Sequence, residues 1–285
     1  VLLVARWEVV LKRLMRRVLP VVLAGAGLWL PGAAAWAQSD NAPRNASGAR
    51  ADVVTESDET PAAKRARIRL ELASAYFSQG QVTTALDEVK RALVADPENV
   101  GAFNLRGLIY ANLGEHGLAE ESFRRALQLR SDDPDTLHNF GWYLCQQRRF
   151  PEARGYFEAA MRVPRYRDAP KTWLAQGICE ARAGSLDTAE RFLLRSYELD
   201  PGNPATAVNL AEVLLKRNDL DRALFYVQRV NQRAELANAE TLWLAARIEH
   251  RRGAQASVET LGMQLRSRYP RSREATAFEQ GKFDE

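Results

Sequence analysis

Small residues recur along the chain at a nearly constant interval. Ala85, Ala119, Ala153, Ala189, Ala223 and Val258 are separated by 34, 34, 36, 34 and 35 residues. Twelve residues before each stands another small residue: Ala73, Gly107, Gly141, Gly177, Ala211 and Ala246. Four residues after come Val89, Phe123, Phe157, Leu193, Val227 and Gly262, and seven after come Ala92, Ala126, Ala160, Ser196, Val230 and Leu265. Offsets of four and seven keep one face of a helix apolar. The small pair lets the two helices of a hairpin approach closely, and the bulkier residue one turn on fills the groove between repeats. Each hairpin needs a break between its helices. Gly80, Gly114, Gly184, Asn218 and Gly253 supply it, and Arg148 stands at that place in the third repeat. Asp96-Pro97, Asp200-Pro201 and Tyr269-Pro270 end second helices, because a residue before proline disfavours helix.

A 34-residue period of helix pairs is the signature of the tetratricopeptide repeat (TPR). The expected fold is all-α, a right-handed superhelix of about six helix hairpins running from Ala66 to Ser272. The sixth repeat is the least regular, as suits a terminal repeat. Such solenoids present a long curved surface, so the function to look for is protein binding.

The segment before the repeats is of another kind. Val18 to Leu30 is an apolar run preceded by Arg16 and Arg17 and followed by Ala35-Trp36-Ala37. Basic start, short apolar stretch and small-residue cleavage site read as a secretory signal over residues 1–37, cut after Ala37. The run is shorter than the ~20 residues of a membrane span. Met15 directly precedes the arginines and is the expected start of translation. The alternative is a retained anchor helix. Residues 38–63 are rich in Ala, Ser, Asp, Asn, Thr and Glu with no period, and read as a disordered linker to a TPR domain over 64–285. The signal segment holds Arg6, Lys12, Arg13, Arg16 and Arg17 against Glu8, a net +4 equal to that of the whole chain. The exported remainder is therefore neutral, without the net basic face that nucleic-acid binding requires.

Catalytic patterns are missing. His116, His138 and His250 fall in different repeats with no carboxylate at ligand spacing, and no HExxH, CxxC or GxSxG occurs. Ala24-Gly25-Ala26-Gly27 lies inside the signal and lacks the strand–turn–helix setting of a phosphate loop. Glu120-Glu121 and Asp132-Asp133 read as solvated surface. The expectation is a protein without enzymatic activity, metal, cofactor or small-molecule substrate.

First helices of TPR hairpins line the concave face. Their register places Asn104, Leu108 and Asn112 there in the second repeat, and His138, Trp142 and Cys145 in the third. Leu174, Ile178 and Arg182 follow in the fourth, Val208, Glu212 and Lys216 in the fifth, and Trp243, Arg247 and His250 in the sixth. Aromatic, aliphatic and isolated charged side chains suit an extended or helical peptide with apolar anchors. Trp142 and Trp243 are the anchors by residue type, and equally eligible as inter-repeat core. Cys145 and Cys179 lie on neighbouring first helices. They form either a disulfide, favoured in an oxidising compartment, or two buried thiols.

Several stretches resemble one family. Ala66-Arg-Ile-Arg-Leu-Glu-Leu-Ala73, then Tyr76, then Gly80-Gln-Val-Thr-Thr-Ala-Leu-Asp-Glu-Val-Lys90 resemble the first repeat of the type IV pilus biogenesis/stability proteins of the PilW/PilF type. Arg106-Gly107-Leu108-Ile109-Tyr110 is similar to their second repeat. His138-Asn139-Phe140-Gly141-Trp142-Tyr143-Leu144-Cys145, with the spaced Cys179, is similar to their most distinctive stretch, and Tyr269-Pro270 and Gly281-Lys-Phe-Asp-Glu285 to their ending. The resemblance implies a six-TPR pilotin without catalytic chemistry, which helps an outer-membrane pilus secretin to localise and multimerise, with other pilus assembly proteins as further partners. It also strengthens the disulfide reading of Cys145 and Cys179. One departure is plain: pilotin lipoproteins carry a lipidated cysteine at the signal's end, and here residues 31–38 read Pro-Gly-Ala-Ala-Ala-Trp-Ala-Gln. A periplasmic protein that reaches the outer membrane through partners is therefore expected. The alternative is a periplasmic TPR adaptor for another envelope or secretion machine.

Overall fold

The computed structural model describes residues 59–284. The signal segment 1–37 and all of the linker up to residue 58 lie outside the described residues. Thirteen helices and no strand occur among them. Twelve form six antiparallel hairpins: α1 (Pro61–Ser78) with α2 (Val82–Ala95), α3 (Val100–Leu113) with α4 (His116–Leu129), and α5 (Pro134–Gln146) with α6 (Phe150–Arg162). Then come α7 (Ala169–Arg182) with α8 (Leu186–Leu199), α9 (Pro204–Lys216) with α10 (Leu220–Asn231), and α11 (Ala239–Arg251) with α12 (Gln255–Arg268). A short α13 (Arg273–Glu279) follows. The first helix begins at Pro61, so residues 61–63 are helical and not part of the linker read from composition. Proline is preorganised for the first turn, and the Thr60 hydroxyl accepts from the Ala63 amide 3.1 Å away.

The register of small and bulky residues sets the hairpin packing. A Cβ built on Gly107 would come within 2.7 Å of the Phe123 ring, and one on Gly177 within 2.6 Å of Leu193. The bulky residue thus seats on the small residue of its own hairpin. It reaches the next repeat as well: Phe123 stacks on Phe140 with centroids 5.2 Å apart. First helices of successive repeats lie side by side along the whole array, α1 to α13. Most first helices are capped by a side chain at their start, from Asn99, Asp133, Asn203, Asn238 and Ser272. The breaks inside the hairpins are left-handed residues at all six positions: Gly80, Gly114, Arg148, Gly184, Asn218 and Gly253, with φ between 61° and 85°. At Arg148 a side chain occupies a conformation that costs ~1–2 kcal/mol outside glycine.

Two irregularities have local causes. The 36-residue spacing between the third and fourth anchors comes from a longer connection, residues 163–168, in which Arg165 is left-handed at φ 61°. In the sixth repeat, Gly262 replaces the bulky residue of α12. The vacated space is filled by Phe278 of α13, whose ring lies against Gly262. That helix closes the array's end by burying its own Ala275 with Leu242 and Leu265.

Candidate functional site

The first helices place the register-matched side chains at successive steps, but they do not treat them alike. His138 and Val208 are buried, each 6% exposed, and leave the lining that their register assigned them. Both are consumed by contacts within the stack. His138 Nδ1 lies 2.8 Å from the Thr172 hydroxyl on the next first helix, and Tyr166, from the long connection, shares that hydroxyl at 2.9 Å. Burial drives the His138 pKa down to about 3, with the Lys171 charge adding to the effect. The imidazole is a neutral element of the joint between repeats three and four.

Asn104 is half-buried and accepts from the Asn139 amide of the next repeat at 3.1 Å. Leu108, Leu174 and Ile178 are half-buried, while Asn112, Arg182 and Lys216 are exposed. Trp142 divides its surface. One side packs on the cluster of Phe140, Tyr143 and Leu144, and the residue is half-buried. The Arg182 guanidinium stands 5.2 Å from its centroid, so side chains of repeats three and four meet in one cation–π pair. Although Arg182 keeps an exposed surface, partial desolvation of its guanidinium pushes its pKa down.

Three residues along from each member of this pair, Cys145 and Cys179 are joined in a disulfide with Cα atoms 5.8 Å apart. Both thiols' positions are buried, at 1% and 4% exposure, so the bond staples α5 to α7 from inside the array. At the same joint, the second helix α6 and the first helix α7 are tied by Arg154 and Glu180. The guanidinium donates twice to the buried carboxylate, at 2.8 Å each.

In the fifth and sixth repeats the half-buried Glu212 has its pKa raised by burial, with Lys216 and Arg247 opposing. Trp243, Arg247 and His250 come together around a residue the periodicity did not single out. Phe283, just past α13, returns onto this face. Among the described residues, no three metal-ligating side chains converge, and no helix is long and apolar enough to cross a membrane.

Tetratricopeptide-repeat models match residues 70–134 and 138–204, and another residues 180–247. The type IV pilus assembly protein PilF of Pseudomonas aeruginosa is 26% identical over 213 residues, which is 75% of this chain and 84% of that protein. The crystal structure of PilW, described as a widely conserved type IV pilus biogenesis factor, superposes with a TM-score of 0.70 at 30% identity. That match covers 74% of this chain and 97% of PilW. The structure of P. aeruginosa PilF superposes at 0.68 with 23% identity, over 78% of this chain and all of PilF.

Proposed function

The chain belongs to the tetratricopeptide-repeat family of type IV pilus biogenesis proteins that includes PilF and PilW, and on that premise we propose that it is a non-enzymatic periplasmic scaffold assisting the outer-membrane secretin of the pilus to localise or multimerise. The observation that carries the reading is the Trp142–Arg182 pair. It offers a partly accessible aromatic ring and a cation at the joint between two repeats, on a backbone stapled by the disulfide. A rigid platform binds at lower entropic cost, because little side-chain and backbone freedom is lost on association. An extended secretin segment with an apolar anchor suits the mixed lining around it, from Leu108 to Ile178. Export places the protein on the same side of the inner membrane as the secretin's periplasmic part, and contact with that partner brings it to the outer membrane.

A deletion strain tests the role. It is expected to lose surface pili, twitching and secretin multimers. Normal pili with normal secretin multimers would refute the reading, and a different envelope defect would favour an adaptor for another machine. Trp142→Ala tests the surface. A contact anchor loses roughly 2 kcal/mol or more of secretin affinity with a largely intact fold. A core tryptophan loses ~3–5 kcal/mol of stability instead. Unchanged affinity in a well-folded variant rejects the binding role.

A further inference from the structure

The sixth repeat is occupied. Gly281, left-handed at φ 66°, ends α13, with its amide on the Phe278 carbonyl and the Lys282 amide on that of Ala277, both at 3.0 Å. The chain then turns onto α11. The Phe283 ring stacks on His250 with centroids 4.1 Å apart and planes inclined by 13°. Trp243 flanks it at 5.1 Å and Phe278 at 5.6 Å. Arg247 Nε donates to the Phe283 carbonyl at 3.0 Å. Desolvation lowers the pKa of that guanidinium, and the charges of Glu212 and, less strongly, Asp284 oppose it.

These are the register positions assigned to the concave side from the sequence; in the third repeat only Trp142 of the three is accessible, whereas His138 and Cys145 are buried. Trp243, Arg247 and His250 stand 15, 11 and 8 residues before the Val258 anchor, as His138, Trp142 and Cys145 stand before Ala153. The segment on them is short and shallow: Gly281, Lys282 and Asp284 are exposed, and Phe283 is half-buried. It is not needed to close the end of the array. The terminal cluster of Leu242, Leu265 and Ala275 is already covered by Tyr269 and Phe278, and Phe283 is outside it.

We propose that Trp243, Arg247 and His250 form a ligand subsite held closed by the chain's own Phe283, and that its ligand is an extended partner segment with an aromatic residue followed by an acidic one. The occupant displays the chemistry. A ring enters the aromatic box, a backbone carbonyl accepts from Arg247, and the following carboxylate lies in the field of the same guanidinium. A tethered segment of this length acts at an effective concentration on the order of millimolar. For a free segment of ~100 μM intrinsic affinity, that competition weakens apparent binding about tenfold.

The probe is a fluorescent peptide with the sequence of residues 279–285, titrated by anisotropy. It is expected to bind a variant lacking residues 281–285, and a full-length Phe283→Ala variant, at least about tenfold more tightly than the unaltered chain. A peptide with alanine in place of Phe283, and a Trp243→Ala change in the shortened chain, are expected to abolish binding. Thermal melts accompany each variant. Equal affinity for the shortened and unaltered chains overturns the proposal, as does no binding to a well-folded shortened chain. A large loss of melting temperature in Phe283→Ala overturns it too, because the ring is then part of the core. The subsite is separate from the Trp142 surface and the assay contains no pilus component, so its outcome is independent of the secretin experiment.

Discussion

Acid should loosen the joint between repeats three and four, and His138 supplies the lever. The imidazole is 6% exposed, is bonded to Thr172, and has a pKa of about 3 in place of the ordinary 6.5. The unfolded chain therefore binds a proton at pH 5 that the folded chain does not, and stability falls as pH drops below the unfolded value. The stabilisation is complete above ~pH 6.5 and is lost progressively down to the folded pKa. With those two values, the linkage integral between pH 8 and pH 5 is about 2 kcal/mol. Other groups titrate over the same range, so the quantity to measure is a difference. Urea unfolding of the unaltered protein and of His138→Gln, each at pH 8 and pH 5, isolates it. The unaltered protein is expected to lose about 2 kcal/mol more than the variant across that interval. The His138 ring resonances should also stay constant down to pH 5. Equal losses, or a ring that titrates near 6.5, would refute the argument that this imidazole is buried in its neutral form.

Other outcomes follow from packing and backbone. Gly177→Ala should destabilise by ~1–3 kcal/mol in chemical denaturation, because its Cβ would meet Leu193 at 2.6 Å. Gly155→Ala, in α6 with nothing within 4 Å of the new atom, should instead stabilise by ~0.5–1 kcal/mol. Arg148→Gly should raise the melting temperature, since it relieves a left-handed side-chain residue at φ 62° at a gain of up to ~1 kcal/mol; an unchanged or lowered melting temperature would count against strain there. Reduction of Cys145–Cys179 closes off a loop constraint of 34 residues and should lower stability by ~3–4 kcal/mol. Mass spectrometry with and without reductant checks the bond, and two free thiols in protein isolated without reductant would contradict it.

The array itself was legible because its rules are local and repeat. A glycine or asparagine between two periodic helices announces a left-handed break, and register alone located Arg148 where the residue type did not. Small-against-bulky pairs such as Gly107 and Phe123 are legible for the same reason. The two cysteines fall on adjacent first helices, which register alone shows, although the 36-residue step there sets Cys145 eight residues before Ala153 and Cys179 ten before Ala189. The site was less so. Register names a helix face but not how far two neighbouring helices close over it, so His138 and Val208 read as lining and are buried instead. The Tyr166 hydroxyl comes from a connection that has no period, and its partnership with Thr172 left no trace in the pattern. Phe283 returns to a helix 36 residues earlier as part of a segment too short to carry any periodicity. Its one signal was the glycine at 281, which marks a chain reversal but not its destination. Compensation is equally hard to foresee: Gly262 interrupts the series of bulky residues in the last repeat, and Phe278 makes it a socket.

The disulfide changes what happens when the chain is pulled from its two ends. The 34-residue stretch that it spans would extend to about 11–12 nm if drawn straight, yet it is bypassed by a bridge of 5.8 Å between Cα atoms. That length is hidden from any load as long as the bond persists. Trp142 lies three residues outside one cysteine and Arg182 three residues outside the other. Force transmitted along the backbone passes from one side of the pair to the other through sulfur, not through the intervening helices. The two side chains therefore stay opposite each other until α5 or α7 itself is peeled back to the staple, and a partner gripping both holds a point on the molecule that does not lengthen under tension.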